Sequence, residues 1–121
     1  MPQKKTIKVS PKAYALFQAE FERWQAVFGL SHYRVIFRFE PLGKSYTMVG
    51  TSEMDKYAIV TLTSELKPEE VEGFDPVRSA KHEGIHLLLR RFAWLASCRY
   101  LMAEDLEEEE HAIVRRLEAV L

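Results

Sequence analysis

Residues 75–97 read Asp-Pro-Val-Arg-Ser-Ala-Lys-His-Glu-Gly-Ile-His-Leu-Leu-Leu-Arg-Arg-Phe-Ala-Trp-Leu-Ala-Ser. Two patterns overlap in this stretch. The first is helical. Asp75 can cap a helix whose first position is Pro76, a residue with no N–H to lose. Val77, Gly84, Ile85, Leu88, Phe92 and Leu95 then fall on one side at 100° per residue. The second is chemical. His82-Glu83-Gly84-Ile85-His86 sets two histidines four residues apart, about 40° of helix rotation, on a side away from the apolar one. Both imidazoles can reach one metal ion, and Glu83 lies near enough to act on water held there. With 4 His in the chain, composition alone would produce this pattern about 0.016 times, so chance does not account for it. Lys81 falls on the apolar side, and the sequence offers no reason for it.

Upstream, Ser10-Pro11 repeats the cap-and-proline signal. Tyr14, Phe17, Phe21, Trp24 and Phe28 follow at spacings of three and four, one face of a helix, and Gly29 suits a left-handed C-cap. This aromatic stripe reads as core. Tyr33, Val35, Phe37 and Phe39 alternate with Arg34, Ile36 and Arg38 as a half-buried strand. Residues 40–44 read as a turn, 46–54 as a weaker strand broken by Gly50, and Tyr57–Thr63 as a strand rich in β-branched residues. The links are short, so antiparallel pairing is expected. Residues 64–74 read as a polar connection, and a last helix starts near Ala103. The expected fold class is α+β: an N-terminal helix, a small three-stranded antiparallel sheet, an active-site helix and a C-terminal helix, in one domain over 1–121.

The chain has 121 residues, 17 Lys+Arg and 18 Asp+Glu, with 47% apolar residues. That is an ordinary globular balance, large enough for a core without disulfides. No apolar run reaches the roughly 18 residues of a membrane span. The opening Met1-Pro2-Gln3-Lys4-Lys5-Thr6 has no apolar stretch behind it, so no secretory signal is read and a cytoplasmic location is expected. Cys98 stands alone, which excludes a cysteine-based zinc ribbon; it reads as a small packed side chain. Residues 1–60 carry a net +4 and residues 61–121 a net −5. The acidic second half argues against nucleic acid as the main ligand. A role on nucleic-acid-bound partners would rest only on scattered basic residues such as Lys8, Lys12, Arg34 and Arg38.

Zinc suits two imidazoles, but a catalytic zinc takes a third protein ligand and leaves a fourth position open. Candidates lie in residues 104–110, six acids in seven. Leu106, Ile113, Val114, Leu117, Val120 and Leu121 define an apolar stripe on the last helix. With Leu106 at zero, Glu110 falls at about +40°, inside that stripe, while Glu107 and Glu109 fall near +100° and −60°, at its two margins. A carboxylate within a buried stripe is costly unless paired or bound to metal. Glu110 is therefore the expected third ligand, with Glu107 in reserve and His32 behind both. Glu83 is the expected general base and then acid. Arg90, Arg99 and Tyr100 sit where an oxyanion donor could come from, and the sequence does not choose among them.

With these residues in view, the chain resembles zinc metallopeptidases of the gluzincin type. More closely it resembles small metallopeptidase domains of phages and prophages. The resemblance runs through Phe21-Glu22-Arg23-Trp24, the strand Tyr33-Arg34-Val35, the motif extended as His86-Leu87-Leu88-Leu89, and the ending Glu109 to Glu118. It implies a minimal zincin-like fold with the sheet beside the active-site helix. It also implies Zn2+ as cofactor, a polypeptide substrate, His82, His86 and Glu110 as ligands, and Glu83 as base. One departure is local: many zincins have a small residue just before the second histidine, where this chain has Ile85, with Gly84 one place earlier. A catalytically silent zinc-containing binding module or regulator of phage origin is the alternative expectation.

Overall fold

Ser10 opens the first helix as expected. Its side chain accepts a hydrogen bond from the Ala13 N–H at 3.1 Å, and Pro11 takes the first helical position. In this computed structural model, which describes residues 5–121, the order is β1 (Ile7–Lys8), α1 (Pro11–Val27), β2 (Arg34–Glu40), β3 (Thr47–Ser52), β4 (Tyr57–Thr63), β5 (Glu65–Leu66), a 3-10 turn (Pro68–Glu70), α2 (Pro76–Ser97) and α3 (Ala103–Val120). The opening residues 1–4, read above for a signal, lie outside the described residues. The class is α+β. No described helix is long and apolar enough to cross a membrane.

Helix α1 stops at a Schellman turn. Gly29 adopts φ +68°, the Leu30 N–H donates to the Gln25 carbonyl at 2.8 Å, and the Gly29 N–H donates to the Ala26 carbonyl at 3.1 Å. A side chain at φ +68° would meet its own backbone, so glycine is the economical choice. The aromatic stripe then packs on β2. Tyr14 stacks on Phe39 at 4.5 Å, and Phe17 and Phe21 both meet Phe37 edge to face. Phe17 and Phe21 are fully buried, each worth about 1.5–3 kcal/mol of apolar transfer.

The three main strands run in the order β2-β4-β3, and the sheet is mixed rather than wholly antiparallel. β3 and β4 pair antiparallel across the turn at 53–56, from Ser52↔Tyr57 to Thr47↔Leu62. β2 and β4 pair in parallel, from Arg34↔Tyr57 to Glu40↔Thr63. Burial explains the difference. β4 hides Ala58 and Val60 to Thr63, while β2 leaves Arg34, Arg38 and Glu40 exposed. The most apolar strand takes the centre, where both neighbours shield it. Residues 41–46 therefore cross the end of β4 instead of closing a hairpin. Residues 41–56 together make the crossover of roughly a dozen or more residues that a parallel pair needs. The connection expected as plain loop holds β5, which pairs antiparallel with β1 through Ile7↔Leu66. Two-residue strands carry no periodicity to read.

Helix α2 begins where expected, with the Asp75 carboxylate accepting from the Val77 and Arg78 N–H groups at 3.1 and 3.3 Å. It lies along α1, against β3 and against α3. Its buried residues are Ala80, Glu83, Gly84, Leu87 and Leu88, whereas Val77 and Ile85 are exposed. The inward face is thus rotated from the one drawn through Val77 and Ile85, and it takes in Glu83. Gly84 sits against Trp24, where a Cβ would come within 3.0 Å of the Trp24 Cβ. Lys81, unexplained by the sequence, lies over the Trp24 ring at 5.1 Å, and Arg23 lies over the same ring at 4.5 Å. These are cation–π contacts.

A buried polar knot closes the turn between β3 and β4. The Tyr33 hydroxyl donates to Glu53, and the Lys56 ammonium donates to the same carboxylate at 2.9 Å. Burial pushes the Glu53 carboxyl up, but the hydrogen bonds from Lys56 and Tyr33, with the charges of Lys56 and Arg91, override it and hold it below the usual carboxylate range. Burial, and then the bond to Glu53, push the Tyr33 hydroxyl well up.

Two outcomes follow. Gly84→Ala gains about 1 kcal/mol of helix propensity but overpacks a contact with a stiff partner atom, at a cost of about 1–3 kcal/mol. A net loss, read as a lower thermal midpoint, is expected; a raised midpoint would show that α1 yields freely. For Glu53, a lowered folded pKa means the stabilisation is full above the ordinary carboxylate range and fades as pH falls through the folded value. Glu53→Gln should destabilise by about 1–3 kcal/mol near neutral pH and by progressively less toward about pH 3, in denaturant titrations. An equal loss at both ends would show that packing, not charge, carries the effect.

Candidate metal centre

On α2, His82, Glu83, His86 and Arg90 form a row beside the inward face, at i, i+1, i+4 and i+8. The row faces β3. The Nε2 atoms of His82 and His86 stand 3.1 Å apart, with the rings inclined at 73°. Two nitrogens bound to a tetrahedral zinc at 2.0–2.1 Å are separated by about 3.3 Å. The pair therefore already has the bite of two zinc ligands, and both rings are exposed enough for an ion to enter.

Glu83 is buried, and the Thr47 hydroxyl on β3 donates to its Oε1 at 2.7 Å. Its other oxygen has no partner among the described residues. One turn beyond His86, the Arg90 Nε donates to the Thr51 hydroxyl at 2.9 Å. Thr47 and Thr51 are four residues apart on one face of β3, so the two bonds hold that strand along the histidine row. Two hollows flank the motif and share Thr47, His82 and Glu83. One, of about 510 Å³, extends to Lys44, Asp75 and Arg78, and the other, of about 300 Å³, extends to Val49 and Arg90. Together they make a cleft running past the histidines along β3.

Of the sequence-derived candidates, His82, Glu83 and His86 come together, and Arg90 joins them. Glu110 does not. It is exposed, and Glu109 takes the buried position instead, with its carboxylate accepting from the Arg91 Nε at 3.2 Å. The inward stripe of α3 runs through Glu109, Ile113 and Leu117, turned roughly 40° from the one inferred from sequence. Val114 and Leu121 pulled that inference toward Glu110, yet both are exposed. The cost of burying an acid falls on Glu109 because Arg91 is there to pair with it. Glu107 is exposed as well. His32 lines a different cavity, with Arg91 and Arg116. Arg99 lies against Tyr100, itself 90% exposed, and neither lines the cleft. The Cys98 thiol bonds the Trp94 carbonyl. Among the described residues no three His, Cys, Asp or Glu side chains are grouped to hold an ion. The residues present thus match two of the three protein positions of a catalytic zinc.

Thr47, which sets the Glu83 carboxylate, was not singled out from the sequence. A threonine in a weak strand 36 residues away gives no local signal. Comparisons with protein-family models, curated proteins and solved structures return no match.

Zinc titration of the apo protein tests the pair directly. Binding of one zinc per chain is expected, lost in His82→Ala and in His86→Ala and retained in Glu110→Ala, by calorimetry or metal analysis. Loss in Glu110→Ala would mean that α3 turns on metal binding to bring Glu110 in.

Proposed function

We propose that the protein is a zinc-dependent metallopeptidase on a minimal zincin-like fold, acting on a polypeptide strand laid along β3. The observation that carries this reading is the convergence of the His82 and His86 Nε2 atoms at 3.1 Å beside a buried glutamate. When bound, zinc supplies a Lewis acid for the scissile carbonyl and lowers the pKa of water toward neutrality. The protein's own residues supply the rest. Glu83 offers its unpartnered oxygen to the cleft as general base and carries the proton to the leaving amine. Thr47, by fixing the other oxygen, keeps the carboxylate from turning back into the core.

β3 is the edge of its sheet, so its outer N–H and C=O groups suit pairing with an extended peptide. A strand bound there passes the histidine row, with Arg90 at one end of the cleft and Lys44 and Arg78 at the other. The Arg90 guanidinium keeps its terminal nitrogens free of protein partners among the described residues, which suits a donor to developing negative charge.

A second reading is favoured by one observation, the exposed position of Glu110. In it the chain holds zinc for stability or partner recognition without turnover. Incubation of the zinc-loaded protein with a random peptide library, with products read by mass spectrometry, separates the two. The peptidase reading expects cleavage that falls about 10²–10⁴-fold in Glu83→Gln and about 10–100-fold in Thr47→Val, with both variants folded and zinc-loaded. Cleavage that persists in Glu83→Gln, or none from a fully loaded wild type, would overturn it.

A further inference from the structure

A second cavity lies on the side of α2 turned away from the histidines, closed by α3 and by the β3–β4 turn. It measures about 310 Å³ and is lined by Lys56, Arg91, Arg116, His32 and Glu109 over an apolar floor that includes Leu87. We propose that this cavity binds a small-molecule oxyanion, a carboxylate or phosphate group, with Arg116 as its principal cation.

The argument begins with charge. Three cations line the cavity, and two of them are paired: Lys56 with Glu53 at 2.9 Å, and Arg91 with Glu109 at 3.2 Å. Arg116 has no ion pair and no side-chain hydrogen bond among the described residues. It is half-buried, and its Nε lies 3.9 Å from where a Cβ on Gly29 would be. A guanidinium drawn into a hollow beside two other cations costs electrostatic energy that an anion would recover. Among the described residues Arg91 bonds only through its Nε, to Glu109, which leaves its terminal nitrogens for the fork geometry that carboxylates and phosphates accept.

His32 reports the resulting field. Its ring leans on Tyr33 at 4.6 Å. Burial lowers its pKa first, then Lys56, Arg116 and Arg91 lower it further, with Glu53 alone opposing them. Those groups, with Glu109, are the charges lining or adjoining the cavity from the turn, α2 and α3. The volume falls at the small end of ligand sites and exceeds what a lone water needs. Among the described residues the site shares none with the histidine cleft, so its occupancy does not depend on the peptidase reading.

Titration of the full chain with sodium phosphate and with sodium acetate, against sodium chloride at matched ionic strength, tests the assignment by NMR of the His32 ring. A saturable shift of the His32 ring resonances with phosphate or acetate, absent with chloride, is expected, with the His32 pKa rising by up to about one unit. Saturation by phosphate alone assigns a phosphate ligand, and by acetate alone a carboxylate ligand. Arg116→Gln should weaken binding about tenfold or more. Lys56→Gln, which leaves α3 untouched, should weaken it in the same direction. Equal shifts with chloride would reduce the effect to screening. Those shifts, a non-saturating response, or wild-type affinity in both variants would overturn the proposal.

Discussion

Helix α2 can lie where it does only because α1 lets it approach to the distance of a missing side chain. Gly84 removes a Cβ that would stand 3.0 Å from Trp24, and the ring of Trp24 is flanked by Arg23 and Lys81. That contact fixes the depth and rotation of α2. Its opposite flank then meets β3 closely enough for Thr47 and Thr51 to bond Glu83 and Arg90. A buried carboxylate costs several kcal/mol if left without partners. The threonine hydroxyl offsets part of that cost, and exposure of the other oxygen to the cleft offsets more. The candidate base is in this sense a by-product of how tightly two helices pack.

The same rotation divides α2 into two electrostatic sides. One carries two imidazoles and a carboxylate beside a strand edge, a donor set suited to a cation. The other carries Arg91, which pairs with Glu109 across to α3 and opens onto a hollow of surplus positive charge. A helix bearing ligands for opposite charges on opposite sides has an apolar layer between them. Leu87 and Leu88, both buried, form part of that layer and limit how far the two fields cancel.

Much of the local structure was legible because local rules govern it. Ser10-Pro11, Asp75-Pro76 and Gly29 act through hydrogen bonds and φ angles within a few residues, and each does what its type requires. Strand Tyr57–Thr63 was bounded correctly by β-branched content alone. Strand partners were not legible in the same way. Link length favours hairpins, but competition for the central place in the sheet put β4 between β2 and β3. The two-residue strands β1 and β5 exist only through their pairing with each other.

For the site, the sequence by itself determined the histidine row and its glutamate, because i, i+4 spacing on a helix leaves no other arrangement. It also determined that an acid on the last helix would face inward. Which acid that is was decided only by tertiary structure. Glu109 and Glu110 differ by one step of 100°, and exposed apolar residues near the C-terminus pull a periodicity argument toward the wrong one. Arg91, contributed by a different helix, selects Glu109 by pairing with it. The same holds for Thr47 and Arg116, whose surroundings come from residues distant in the chain. Periodicity records which face a residue occupies, whereas a partner across an interface is fixed only when the helices dock.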